Sequence, residues 1–421
     1  MDMKTAEAGL AAPAISEAAP GPVAASLPER AVEPTVFAII AGVSVCHAMN
    51  DLIQSLVPAI YPLLKTSYGL DFGQVGLITL TFQLTASLLQ PFVGLYTDRR
   101  PQPFSLVAGM AASLVGLLLL AWANSFGGIL AGAALVGVGS SVFHPEASRV
   151  ARLASGGRHG LAQALFQVGG NFGQAAGPLL AAFIVVPNGQ GSVAWCSAAA
   201  LVAIGVMFVV GRWYRAKLAA PRRAATAVPA TGLSRRRVGF AVALLVVLVF
   251  SKNVYTASIN SYYTFYLIDR FHLPVQTAQV YLFVFLGSVA LGTVIGGPFI
   301  DRFGRRAVIR ASVLGVLPFT LALPFANEAW TVALTVPIGL ILACSLPAIL
   351  IFALELMPGR VGMVSGLFFG LSFGMGGLGA AVLGEIADHS SIDFVYRLCA
   401  WLPAIGVVAL FLPNVGVRRP A

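Results

Sequence analysis

The feature that most constrains this chain is a succession of long apolar runs separated by short polar breaks. Each run is close to the about 20 apolar residues that a helix needs to cross a bilayer. Hydrophobic residues make up 58% of the 421 residues and charged residues 10%, too apolar a composition for a soluble domain. The runs predict twelve transmembrane helices, at 34–60, 73–97, 104–123, 127–153, 159–185, 192–213, 237–267, 275–298, 307–325, 329–355, 361–387 and 393–413.

A sequence repeat indicates that the chain consists of two related halves. Gly94 and Asp98 recur with the same spacing as Gly297 and Asp301. Duplication of a six-helix unit places the binding site of a transporter at the interface of the halves. We therefore predict an all-α membrane protein of two pseudo-symmetric six-helix bundles. The expected divisions are a disordered cytoplasmic tail at 1–33, an N-terminal bundle at 34–213, a cytoplasmic linker at 214–236, a C-terminal bundle at 237–413 and a second cytoplasmic tail at 414–421.

The distribution of basic residues predicts the orientation of the chain. The net charge of +10 does not indicate nucleic-acid binding, because Lys and Arg fall in short loops and form no basic face interleaved with aromatic residues. With the amino terminus inside, the outer side keeps only Lys65, Arg270 and Arg397, which is the asymmetry of the positive-inside rule. We expect a bacterial inner-membrane protein with both termini cytoplasmic. The first residues do not have the pattern of a cleavable signal peptide.

The loop between the eighth and ninth predicted helices carries a recognisable motif. Residues 297–306, G-P-F-I-D-R-F-G-R-R, resemble the loop motif of the major facilitator superfamily, G-x-x-x-D-R-x-G-R-R. The resemblance implies the major facilitator fold and a conformational latch formed by such loops. The expected latch residues are Asp98, Arg99, Asp301, Arg302, Arg305 and Arg306. The alternative to a latch role for the first copy of the motif, which contains Gly94 and Asp98, is that its basic residues anchor the helix at the inner surface.

Further motifs resemble drug exporters within this superfamily. Gly173, Gly177 and Pro178 are similar to the G-x-x-x-G-P signature of the antiporter branch, although close helix packing also explains them. The segments 47–56, 140–152, 169–173 and 261–266 resemble one family of antibiotic-resistance exporters, and this resemblance runs from about residue 36 to the carboxyl terminus. It implies export of a phosphonate drug in exchange for protons.

Ionisable residues within the apolar runs are the candidates for proton coupling. Such side chains are costly at bilayer depth and are therefore functional hypotheses. His47 and Asp51 are spaced i, i+4 on one face of the first predicted helix, and His144 and Glu146 flank a proline in the fourth. The alternatives are a structural polar pair for His47 and Asp51, and an ion pair with Arg149 for Glu146.

Polar residues on three predicted helices are the candidates for substrate binding. Gln54 extends the face of His47, and the fifth helix carries amides at spacings of four, four and three. Lys252, near mid-depth in the seventh helix, suits an anion. The full set is Gln54, Gln163, Gln167, Asn171, Gln174, Lys252, Asn253, Asn260, Tyr263 and Tyr266. Helix-to-helix contacts for the amides, a salt bridge for Lys252 and interfacial positions for the tyrosines are the alternatives.

The sequence predicts a secondary active transporter that exports a small polar or anionic drug by proton antiport with alternating access. An uptake symporter for an organic anion is the alternative, and a non-transporting membrane sensor a weaker one. We expect no enzyme activity, because the chain has neither an H-E-x-x-H nor a G-x-S-x-G motif in a suitable setting. The expected partners are a small-molecule substrate, protons and the lipid bilayer, with no cofactor, no metal and no nucleic acid, and the protein is expected to function as a monomer.

Overall fold

The computed structural model describes residues 35–218, 234–357 and 361–414. Within these ranges, twelve helical spans are long and apolar enough to cross a membrane, which confirms the predicted all-α architecture. The spans are α1 (Phe37–Ala59), α2 (Phe72–Thr97), α3 (Ser105–Trp122), α4 (Phe126–Ala154), α5 (Leu161–Asn188), α6 (Gln190–Leu218), α7 (Arg235–Phe271), α8 (Val275–Ile300), α9 (Arg305–Phe325), α10 (Glu328–Leu356), α11 (Leu367–His389) and α12 (Ile392–Phe411).

Polar residues in the short breaks begin several of these helices. A side chain at the residue before a helix can accept a hydrogen bond from one of the unpaired backbone N–H groups of the first turn. Asp71 accepts from the backbone N–H of Gln74 (2.6 Å), and Asn327 accepts from that of Trp330 (2.9 Å). Ser391 does the same at the start of α12. The polar breaks therefore stop one apolar helix and start the next.

The predicted tails and linker fall largely outside the described residues. This holds for the tail at 1–33, for 219–233 of the linker predicted at 214–236, and for all but the first residue of the tail at 414–421. In the described part, α6 continues to Leu218 and α7 begins at Arg235. Helix therefore enters the predicted linker from both sides.

Within the N-terminal half (α1–α6), α5 packs against α1 through a row of glycines. A Cβ placed on Gly169, Gly173 or Gly177 would lie 1.9–2.1 Å from atoms of α1, namely the carbonyl oxygens of Ser44 and Ala48 and the hydroxyl of Ser55. Only glycine permits so close an approach of two backbones. The G-x-x-x-G-P motif thus has a packing role between α1 and α5.

The C-terminal half (α7–α12) meets the N-terminal half along α2 with α11 and α5 with α8. Close backbone contact marks the first pair, since a Cβ on Gly76 of α2 would lie 2.7 Å from the Ala380 carbonyl of α11. In the second pair, the side chain of Gln276 donates to the carbonyl of Ala182 (3.2 Å). The Ala59 carbonyl of α1 also accepts from Gln279 of α8 (2.5 Å).

The hydrogen bonds between the halves lie towards one end of the molecule. We call it the Asp388 end, where α1, α5 and α11 finish, and we call the opposite end the Arg305 end. All hydrogen bonds between the halves among the described residues lie in the part nearest Asp388, down to the pair Thr79 and Ser261 (3.2 Å). Among the described residues, hydrogen bonds therefore join the two halves at the Asp388 end and none joins them towards the Arg305 end, where we place the cleft between them.

Candidate functional site

Three ionisable side chains from α1 and α4 meet inside the N-terminal half. The Nε2 atom of His47 lies 3.4 Å from one carboxylate oxygen of Asp51, and the Nε2 atom of His144 lies 3.4 Å from the other. Their three nearest nitrogen and oxygen atoms lie within 4.8 Å of one another. No other group of three His, Cys, Asp or Glu side chains in the described ranges converges so closely. We call these residues the His-Asp-His cluster.

His47 is fixed on α1 by its neighbours in α5. Its Nδ1 atom lies 2.7 Å from the carbonyl oxygen of Phe166, and its ring stacks on the Phe166 ring with centroids 3.9 Å apart. Gly170, one turn further along α5, makes room for the imidazole, because a Cβ there would lie 2.4 Å from the ring. His47 is 2% exposed, so α5 seals it from water.

Amide and hydroxyl groups hold the carboxylate of Asp51 in place. Asn50 and Gln54 each donate to the same oxygen of Asp51 at 3.0 Å. Ser140 of α4 donates to the Gln54 side-chain oxygen (3.0 Å) and lies 3.2 Å from Nδ1 of His144. Gln54, expected at the substrate, therefore orients the carboxylate. Asn50 and Ser140 were not expected from the sequence, although Asn50 adjoins Asp51 and Ser140 lies about one helical turn from His144.

Glu146 lies near the cluster in sequence but has other partners. Its side chain is fully buried, pairs with Arg149 at 3.1 Å and accepts a hydrogen bond from Ser105 at 3.5 Å. This is the arrangement that the ion-pair alternative describes. The structure therefore places Glu146 in an α3–α4 contact and His144 in the cluster.

The amides of α5 extend the site along the cleft. Gln167 and Gln174 share the helical face of Gly170, which borders the cluster, since their spacings from it are three and four residues. Both are partly exposed, and the side-chain nitrogen of Asn171 has no hydrogen-bond partner in the described part of the chain. Gln163 lies further towards the Arg305 end and accepts from Ser148 (3.0 Å). Free amide groups of this kind are available to a polar ligand.

Lys252 is the candidate cation in the C-terminal half. It is partly exposed, and no carboxylate of the described residues lies within 4.0 Å of its ammonium group, so it forms no salt bridge in this conformation. Asn260 lies two turns further along the same face of α7, with its side-chain oxygen unpaired among these residues. Asn253 donates to the carbonyl of Val249 in its own helix (2.8 Å).

Tyr263 and Tyr266 are placed apart from this face of the site. Both are fully buried. The Tyr266 ring stacks on Tyr396 of α12 with centroids 4.1 Å apart, and the Tyr263 ring lies 6.4 Å from it. In this conformation the two tyrosines pack the interior of the C-terminal half near the Asp388 end, which differs both from the expected substrate contact and from an interfacial position.

Residues of α2 and α11 complete the site and were not expected from the sequence. Gln83 of α2 packs against Gly376, where a Cβ would lie 2.6 Å from its side-chain oxygen. Phe373 of α11 reaches His144, with ring centroids 6.2 Å apart. Phe373 thus brings the C-terminal half onto the His-Asp-His cluster. The polar residues at 83, 87 and 90, which follow one face of an apolar run, were the available signal.

The expected latch residues lie at the Arg305 end. Arg305, at the start of α9, pairs with Glu355 near the end of α10 (2.6 Å), and Arg306 donates to Asn414. The Arg302 guanidinium lies 5.4 Å from the ring of Phe303, and Arg99 is exposed at the end of α2. The side chains of Asp98 and Asp301 lie outside the described part of the chain.

Comparison with known proteins agrees with this fold. The family model described as Major Facilitator Superfamily matches residues 43–380 and 259–420. The chain therefore belongs to the major facilitator superfamily and is a multi-pass membrane transporter of small molecules, not an enzyme.

Among its relatives is the "Fosmidomycin resistance protein" of Escherichia coli (strain K12), 58% identical over 94% of this chain and 97% of that protein. A major facilitator-type transporter of Bacillus subtilis (strain 168) is 40% identical over 93% of this chain and 97% of its own length. The crystal structure of the nucleoside transporter NupG has the same fold, with a TM-score of 0.70 and 12% identity over 89% of this chain and 98% of that one.

Proposed function

We propose that this protein exports a small polar or anionic drug, of the fosmidomycin-like phosphonate class, by proton antiport with alternating access. The observation that carries the proposal is the His-Asp-His cluster. Its groups are able to bind protons at bilayer depth, and Phe373 of the opposite half contacts one of them. The relative named for fosmidomycin resistance supports the substrate class.

Rocking of the two halves would expose the site to one side at a time. With both termini in the cytoplasm, the Arg305 end faces the cytoplasm, and the present conformation receives drug from inside a bacterial inner membrane. Each chain carries its own cluster and its own cleft, so we propose that the monomer is the functional unit.

Exchange requires that the proton and the drug compete for binding to the His-Asp-His cluster. When the cluster has lost a proton, the hydrogen-bond donors of a drug in the cleft would bind to Asp51. The anionic group of the drug would lie near Lys252. Protonation of the cluster then weakens the hold on the drug after the cleft has opened outward. The return of the protonated protein to the inward state completes the cycle.

Vesicles that contain the purified protein test the proposal. An imposed pH gradient should drive accumulation of labelled fosmidomycin on the acidic side, and drug added without a gradient should move protons in the opposite direction. Asp51→Asn should abolish both effects, while Asn188→Asp, which adds a carboxylate near the end of α5 away from the cluster, should leave them intact. Proton movement that does not depend on drug, or full exchange by Asp51→Asn, would contradict the proposal.

An uptake symporter for an organic anion is the second candidate. Two protonated imidazoles beside a single carboxylate leave a net positive charge, which would favour binding of an anion. The anion and the proton would then bind together and cross the membrane in the same direction. The same vesicles decide between the two, because a symporter accumulates the anion on the alkaline side. Cells without the protein should be more sensitive to the drug if it is an exporter and more resistant if it is an importer.

A further inference from the structure

The hydrogen bonds of the cluster fix the tautomers of both histidines. Nδ1 of His47 faces the carbonyl oxygen of Phe166 at 2.7 Å, and Nδ1 of His144 faces the carbonyl oxygen of Ser140 at 3.1 Å. A carbonyl oxygen only accepts hydrogen bonds, and the Ser140 hydroxyl beside Nδ1 of His144 gives its one hydrogen to Gln54, so each Nδ1 carries a hydrogen. The Nε2 atoms, which face Asp51, therefore carry a hydrogen only when the imidazole is positively charged.

This arrangement limits the protonation states of the cluster. Two neutral imidazoles would direct both Nε2 lone pairs at the carboxylate of Asp51, whose oxygens are acceptors as well. At 3.4 Å these contacts are repulsive unless a proton lies between nitrogen and oxygen. Asp51 already accepts from the two amides of Asn50 and Gln54, an arrangement that suits the ionised carboxylate. At least one proton is therefore shared between Asp51 and the Nε2 atom of an imidazole whenever the cluster has this geometry.

The two histidines differ in access to water. His47 is 2% exposed, stacked on Phe166 and enclosed by α5. The side chain of His144 is 20% exposed and lies beside Phe373 of the opposite half. A proton that is exchanged in each cycle needs a path to water, and of the two histidines only His144 has one in this conformation.

We infer that His144 carries the transported proton on Nε2, one per cycle, while His47 remains charged as a permanent partner of the ionised Asp51. The inference rests on the proposed proton coupling and names the residue that performs it. The cluster then alternates between net charges of zero and plus one, and Phe373 would sense the change through its contact with His144.

Few other ionisable groups face His144. Asp51 and His47 approach from α1, the latter with ring centroids 5.1 Å apart, and the residue that reaches it from α11 is apolar. On its own helix, Glu146 pairs with Arg149. Lys252 of α7 forms no ion pair or hydrogen bond with it in the described part of the chain. The pH response of His144 should therefore follow Asp51 and His47.

Nuclear magnetic resonance of ¹⁵N-histidine in lipid nanodiscs tests the inference directly. The chain has five histidines, so the combined variant His159→Gln, His272→Gln, His389→Gln leaves only the two imidazoles of the cluster. Between about pH 5 and pH 8, one imidazole should change from two protonated ring nitrogens to one, and the other should keep two throughout. Titration of both imidazoles, or of neither, would overturn the inference.

Spectra of His144→Gln and His47→Gln assign the two signals, and drug counterflow without a pH gradient adds a functional readout. His144→Gln should lose the pH dependence of counterflow, whereas His47→Gln should lower counterflow at every pH and retain the dependence. If counterflow by the His144→Gln variant still depended on pH, His144 would be excluded as the proton carrier. These outcomes are distinct from failure of the proposed function, which would appear as absence of gradient-driven transport in the unsubstituted protein whatever the spectra show.

Discussion

The carboxylate of Asp388 in the last turn of α11 accepts a hydrogen bond from the backbone N–H of Gly73 in the first turn of α2, at 2.6 Å. It also accepts from the neighbouring N–H of Phe72 (2.8 Å). The carboxylate of one half thus caps a helix of the other half, where unpaired N–H groups and the helix dipole favour a negative charge. Because the two helices must separate for the Asp388 end to open, this cap closes that end.

Removal of the cap should shift the protein towards the state that is open at the Asp388 end. Thr79 is buried behind the closed end, so a cysteine at this position (Thr79→Cys) reports on opening when it is labelled by a membrane-impermeant maleimide. We expect Asp388→Ala to increase this labelling about tenfold, because hydrogen bonds to a charged group contribute about 1.5–3 kcal/mol. Asp71→Ala is the matched control, because Asp71 caps the same helix from within its own half. Equal labelling in the two variants would show that the cross-half cap does not hold the end closed.

Gly170 should be essential for proton coupling because of its place beside the cluster. In Gly170→Ala the new Cβ would lie 2.4 Å from the His47 ring and 2.9 Å from the Asp51 carboxylate, so one of these groups must move. We expect loss of gradient-driven transport together with a destabilisation of about 1–3 kcal/mol, as is usual for an overpacked site. Transport assays and thermal melting of the same samples measure both effects.

The control for Gly170→Ala is Gly205→Ala on α6, where a Cβ meets no atom within 4 Å. It should alter neither transport nor melting. Normal coupling in Gly170→Ala would mean that the observed arrangement of His47 and Asp51 is not needed for exchange.

The helices could be predicted from the sequence because the bilayer allows few alternatives. A spanning segment must be apolar, helical and about 20 residues long, so the runs located α8 and α10 to within two residues at each end. The pairing of His47 with Asp51 followed from helical periodicity alone. Both predictions depend only on local sequence.

The remaining parts of the site depend on which helices are neighbours, and sequence spacing does not contain that information. His144 and Glu146 are two residues apart and looked equivalent, yet one joins Asp51 and the other joins Arg149. The position of Phe373 follows from the contact of the two halves. The burial of Tyr263 against Tyr396 likewise depends on the position of α12.

The ion pair of Arg305 and Glu355 should contribute little to stability. It joins α9 and α10 within the C-terminal half, and 39% of the Arg305 side chain is exposed to screening by water and salt. We expect Glu355→Gln to change the free energy of unfolding by about 0–1 kcal/mol, the range for exposed pairs. Denaturant titration in detergent checks this value, with Glu385→Gln at the opposite end as the control. A loss above this range would mean that the pair holds α9 and α10 together as a structural element.

Lys252 should determine the preference of the site for anions. Its ammonium has no carboxylate partner among the described residues, and a charge-assisted hydrogen bond to a phosphonate contributes about 1.5–3 kcal/mol. We therefore expect Lys252→Met to weaken binding of fosmidomycin about tenfold to a hundredfold in isothermal titration, and Lys252→Arg to retain most of the affinity. A neutral diester of the same drug should bind Lys252→Met and the unsubstituted protein equally. Equal losses for the drug and its diester would indicate that Lys252 supports the fold of α7 and does not recognise charge.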